Sequence, residues 1–115
     1  MVIQRGRAVR RFHIALSVGD IGESIADYSR RLDAAPDIVV PGEYALWRTD
    51  SLNFSIRRSP EPPGALRHLG WEDATAPDFS AQTDVNGVVW EHFCQETQAK
   101  EIQRLWPDAA TRIGG

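Results

Sequence analysis

The chain has 115 residues, 42% apolar and 25% charged, which is enough for one domain with a modest core. A net charge of −3 supplies no basic field for nucleic acid, and no apolar run approaches the ~20 residues of a membrane helix. The single Cys94 forbids an internal disulfide and any cysteine-rich zinc pattern, so a cytoplasmic protein is expected.

Residues 1–11 carry Arg5, Arg7, Arg10 and Arg11 without the apolar stretch of a signal peptide, and read as a flexible N-terminus. Phe12 to Val18 (FHIALSV) alternates: Phe12, Ile14, Leu16 and Val18 share one face, and His13, Ala15 and Ser17 the other. This is a half-buried strand. Asp20 then caps a helix, with Glu23 three residues on as in a capping box. Ile21, Ile25, Tyr28 and Leu32 form its apolar stripe, and Asp33 to Pro36 ends it.

Three short strands follow. Asp37 to Val40 stops at Pro41-Gly42, and Tyr44 to Thr49 joins Leu52 to Arg57 through Asp50-Ser51. Alternation puts Asn53, Ser55 and Arg57 on the side of His13, with Leu52, Phe54 and Ile56 under the helix. After the proline-rich turn SPEPPG, Leu66 to Trp71 (LRHLGW) opens the second half much as FHIALSV opens the first. Phe79 to Thr83 is a further strand candidate, Asn86-Gly87 marks a turn, and Val88 to Cys94 is the last strand. Glu96 to Leu105 suits a helix, with Ala99, Ile102, Leu105 and Trp106 on one side and Pro107 at its end. The first half reads β-α-β-β-β. A second complete unit does not fit between residues 66 and 94; a helix and a strand are missing.

The last strand contains what a buried strand should exclude. Glu91 lies amid VVWEHF, and an unpaired buried carboxylate is costly. His13 and His68 each lie near the start of a strand. Two imidazoles and one carboxylate with open positions make the facial triad of non-haem iron sites, and the same donors suit other divalent metals. Plainer readings stand beside this one. The histidines can be strand-end residues bonded to the backbone, and Glu91 can pair with Arg57 or Arg67. Arg57 can hold an anionic substrate or be a solvated strand end. Trp47, Trp71 and Trp90 suit a core better than a pocket wall. Alternation sends His92, with Trp90 and Cys94, to the face away from Glu91.

The segments FHIALSVGDIGESIADYSRRLDAAPD, YALWRTDSLNFSI, LRHLGWED and DVNGVVWEHF, in that order, resemble the vicinal oxygen chelate superfamily of glyoxalase I, bleomycin-resistance proteins and extradiol dioxygenases. The small cadmium-induced and organoarsenical-lyase branch is the most similar in detail. The resemblance covers roughly residues 10 to 94. It implies an α+β fold in which βαβββ modules form an open curved sheet around a pocket. Module one is 12–58, a shortened module two is 66–94, and 95–115 is a C-terminal helix and tail. It implies His13, His68 and Glu91 as metal ligands and a divalent metal, Fe2+ first, with Mn2+, Ni2+ or Zn2+ as alternatives. It places Asn53 at the fourth-strand position where glyoxalase I has a glutamate ligand, so the chain departs from that pattern. Cys94 stands alone where the arsenical lyases have a cysteine pair.

The implied function is a metal-dependent lyase, isomerase or dioxygenase acting on a small molecule. The metal would chelate two neighbouring substrate oxygens and act as a Lewis acid toward a developing anion; iron would also bind dioxygen. Asn53, Ser55 and Arg57 are the expected substrate-binding residues. The alternatives are a metal-free small-molecule binding or resistance protein of the same fold, and an inactive homodimeric module. A shortened module leaves an unpaired sheet edge, and with the family's habit of pairing sheets this predicts a homodimer. The tail helix offers a second contact surface, or folds back over its own chain.

Overall fold

The structure, a computed structural model, describes residues 10–108. Residues 1–9 of the expected flexible N-terminus and 109–115 of the tail lie outside the described residues. The described chain is mixed α+β, an open curved sheet of seven strands with two helices. In chain order the elements are β1 (Arg10–Val18), α1 (Ile21–Leu32), β2 (Ile38–Val40), β3 (Tyr44–Arg48), β4 (Leu52–Arg58), β5 (Leu66–Asp73), β6 (Ser80–Thr83), β7 (Val89–Phe93) and α2 (Gln95–Leu105).

Their order across the sheet is β2-β3-β4-β1-β5-β7-β6. The middle is set by three ladders. β1 pairs with β4 in parallel, β1 with β5 antiparallel, and β5 with β7 in parallel. No helix of the described chain is long and apolar enough to cross a membrane.

Alternation divides the sheet into two chemically distinct faces. Val18, Ala45, Trp47 and Ile56 are buried on one, where Ile21, Ile25, Tyr28 and Leu32 of α1 cover them. Phe54 lies on this face with its ring 5.4 Å from that of Tyr28. The Trp47 indole N–H donates to the Ala34 carbonyl at 3.0 Å, which ties the end of α1 to the sheet. Asp20 caps α1 by accepting the Glu23 backbone N–H at 2.8 Å, half of the expected box.

The opposite face carries His13, Ser17, Asn53, Ser55 and Glu72, all buried and polar. It is covered by α2, whose Ile102 packs with Ile38, Val40, Tyr44 and Leu46, and whose flanking Trp106 joins the same cluster. The tail helix therefore folds back over its own chain. Of the expected stripe, Ile102 and Trp106 face the sheet, whereas Leu105 stays 40% exposed.

Two boundaries differ from the sequence reading by two residues, and several others by one. Arg10 and Arg11 extend β1 rather than fray: the Arg10 guanidinium lies 4.1 Å over the Trp71 ring, and Arg11 donates to Glu72 Oε2 at 3.0 Å. β5 likewise runs on to Asp73, because the longer β1 supplies partners for Glu72 and Asp73.

Candidate metal centre

The three central strands bring together residues 13, 68 and 91. His13 projects from β1, His68 from β5 and Glu91 from β7, and their ligand atoms all lie within 4.8 Å of one another. His13 Nε2 and His68 Nε2 are 3.0 Å apart, and Glu91 Oε1 is 3.1 Å from His68 Nε2 and 4.0 Å from His13 Nε2. Two donors each ~2.1 Å from one ion, at a right angle, would stand ~3 Å apart. The imidazole pair has that spacing. Among the described residues neither Arg57 nor Arg67 comes within 4.0 Å of Glu91, so the histidines are its partners.

The position of β7 depends on a glycine. Gly70 of β5 lies opposite Glu91, and a Cβ built there would stand 2.1 Å from the Glu91 carbonyl oxygen. Only a residue without a side chain lets β7 come this close.

The tautomer of His13 follows from a buried chain of bonds. Glu72 is 4% exposed and accepts from Arg11 Nη1 at 3.0 Å, Arg48 Nε at 2.9 Å and Arg48 Nη2 at 2.8 Å. Burial alone would raise its pKa, but the hydrogen bonds from Arg48 and Asn53 and the charges of Arg48 and Arg11 hold it below the ordinary glutamate value. An ionised carboxylate only accepts, so Asn53 must turn its amide nitrogen to Glu72 Oε1, at 2.8 Å. The same nitrogen donates to Gln98 Oε1 of α2 at 2.8 Å. Asn53 Oδ1 is thereby aimed at His13 Nδ1, at 2.8 Å, and the Asn53 backbone carbonyl faces the same nitrogen at 3.0 Å. With two oxygen acceptors before it, Nδ1 carries the proton and Nε2 keeps a lone pair for the site. This is the arrangement that outer partners give to metal-bound histidines.

Burial, offset in part by the Asn53 hydrogen bonds, pushes the His13 pKa down. Burial first, then the neighbouring His13 and Arg67, pushes His68 down to about 3. Burial, with Glu101 adding to it and Arg67 opposing, pushes Glu91 up to about 7. Both rings are therefore neutral near pH 7, in the form that binds metals.

The three groups open onto a cavity of about 180 Å³ between the sheet and α2. Ser55, Arg57, Arg67 and Tyr44 line its sheet side, and Gln98, Glu101, Ile102 and Trp106 its helix side. Phe79 and Leu105 border it and remain 42% and 40% exposed, which marks the mouth. Of the expected substrate-binding residues, Ser55 and Arg57 reach this wall. Asn53 is fully buried beneath His13 and is taken up by the bonds just described.

His92 points away, with Nε2 2.9 Å from Asp73 Oδ2. Cys94 sits at the N-cap of α2, its Sγ 3.3 Å from Thr97 Oγ1. Trp47 is in the core under α1, and Trp71 and Trp90 pack around Phe12. Trp106 is the tryptophan on the cavity wall.

Glu72, Arg48, Arg11 and Gln98 escape a reading by motif. Glu72 had a signal, because residues 68, 70 and 72 share one face of β5 and an unpaired carboxylate there needs a partner.

No protein-family model matches this chain, and no curated protein matches it.

Proposed function

We propose that this chain is a metal-dependent small-molecule enzyme of the glyoxalase and dioxygenase type. It would work as a lyase, isomerase or dioxygenase, with His13, His68 and Glu91 holding a divalent metal, Fe2+ first and Mn2+, Ni2+ or Zn2+ as alternatives. One observation carries this reading. His13 Nε2, its lone pair fixed by Asn53, meets His68 Nε2 at 3.0 Å and a carboxylate at the wall of a cavity. Lone pairs and a carboxylate converging on one point favour a cation there.

The ladders support two βαβββ modules with the second shortened. β1 with β4, and β5 with β7, are the two parallel pairs, and Ile14 faces Leu69 where β1 meets β5. A two-fold axis through that pair relates His13 to His68 and Ala15 to Gly70. Ser55 lies opposite Ala15 and Glu91 opposite Gly70. On this relation the counterpart of Glu91 is Ser55, and Asn53 is an orienting residue rather than a displaced ligand.

A bound metal would supply Lewis acidity to two neighbouring oxygens of a substrate. The chain's own residues do the rest. Asn53 keeps the His13 proton on Nδ1, α2 limits water at the site, and Ser55 and Arg57 position the substrate from β4. Metal analysis of protein purified without chelator or histidine tag tests the reading. A stoichiometric divalent ion is expected, lost by orders of magnitude of affinity in His13→Ala, His68→Ala and Glu91→Ala and retained in His92→Ala. No metal, even after reconstitution, would reject it.

A second reading is a metal-free binding protein of the same fold. It is favoured by the 3.1 Å contact of His68 with Glu91, which lets the polar cluster satisfy itself through a shared proton. The third, an inactive homodimeric module, rests on β6, whose four residues are all exposed at one edge of the sheet. The same edge supports a homodimer under any of the three.

A further inference from the structure

Consecutive strand residues point to opposite faces, yet Arg67 and His68 both line the cavity. The β1–β5 register explains this. Ala15 faces His68, Leu16 faces Leu66, and the ladder shifts between them, so Arg67 is the extra residue of a β-bulge. Bulges of this kind re-aim a side chain beside functional sites. The side chain re-aimed here is a guanidinium, half-buried, in a wall that already holds Arg57. No carboxylate among the described residues lies within 4.0 Å of either arginine. Arg57 is braced by Trp106, its guanidinium carbon 5.3 Å from the ring centroid. Two cations are thus gathered in one wall beside the three proposed ligands, and neither is ion-paired to Glu91 or Glu101, the carboxylates that share the cavity. Such an arrangement suits a ligand oxyanion, which guanidinium forks bind in pairs of hydrogen bonds.

We propose that Arg57 and Arg67 form an oxyanion subsite, so that the ligand of this cavity is a small organic acid bearing a carboxylate or phosphate. The identity of the ligand as a substrate rests on the metal-enzyme reading; the subsite itself does not. The cavity, at about 180 Å³, is below the ~300–1,000 Å³ of sites for drug-sized ligands, which fits a compact molecule. The oxyanion occupies the arginine end, and the remainder of the molecule extends toward His13, His68 and Glu91.

Calorimetric titration of metal-free full-length protein with glutarate, and separately with inorganic phosphate, tests the subsite. At least one probe is expected to bind one to one, and which one binds identifies the oxyanion. Arg57→Gln and Arg67→Gln should each weaken it at least tenfold, Arg67→Lys should lose less, and Arg58→Gln, at the exposed pair with Glu43, should change nothing. The same titration on Glu91→Gln should still show binding, so a failed metal site leaves the subsite standing. Thermal melts identify any variant that does not fold, and the Arg57 variant then carries the result. Binding of neither probe, or equal binding by the wild type and both glutamine variants, would overturn the proposal.

Discussion

Replacing Asn53 by Ala removes the side-chain acceptor that keeps the proton on His13 Nδ1, and leaves the backbone carbonyl at 3.0 Å as the remaining partner. Loss of an outer partner of a metal-bound histidine costs ~10–100-fold in affinity, and the surviving carbonyl points to the lower end. A titration of Asn53→Ala with Zn2+ against a chromophoric chelator should show about a tenfold loss. Acidity acts on a different residue. The histidines are held low and Glu91 is raised to about 7, so the proton that would compete with a metal at the proposed site belongs to Glu91. Metal affinity should therefore fall by about tenfold per pH unit below neutrality and flatten above it. In Glu91→Gln that slope should vanish; a slope that persists would assign the proton elsewhere. For the metal-free fold the sign is opposite. A glutamate whose folded pKa is raised costs stability as pH climbs from its unfolded value through about 7. His13, His68 and Glu91 were legible because strand parity and a resemblance pointed to the same three positions. Arg67 was read only as a possible partner of Glu91; its place in the cavity wall was not legible, because the bulge that turns it inward breaks the alternation on which parity depends.

At the scale of elements, the placement of β7 is the delicate step. Gly70→Ala would set a Cβ 2.1 Å from the Glu91 carbonyl oxygen and 2.8 Å from its backbone nitrogen, atoms that cannot rotate aside. β7 must shift, at a cost of about 1–3 kcal/mol, and Glu91 moves with it. Denaturant unfolding of Gly70→Ala should show that loss together with weaker metal binding. The elements themselves were largely readable: each strand and helix appears close to its expected bounds, because alternation and helical periodicity mark them locally. The seat of α2 was not readable. Ile102 and Trp106 show that the helix has a buried side, but nothing in residues 95–106 specifies that Ile38, Val40, Tyr44 and Leu46 receive it. That choice belongs to the shape of the sheet.

For the whole molecule, the sheet has two edge strands, β2 and β6; α2 packs over the face that holds β2, whereas all four residues of β6 are exposed. Light scattering at low micromolar concentration should give twice the 12.9 kDa of one chain, and a dimer that survives removal of residues 95–115 would place the contact on the sheet. A particle of 12.9 kDa would reject the dimer. The seam between β1 and β5 has a broader consequence. It is where the two halves of the sheet meet, with His13 on one strand and His68 on the other, 55 residues apart along the chain. An ion held by both rings would act as a clasp across that seam, closing a long loop that the unfolded chain leaves open. Loading the site and locking the two halves together would then be a single event, and the tightness of the clasp would set how readily the sheet can part along its middle.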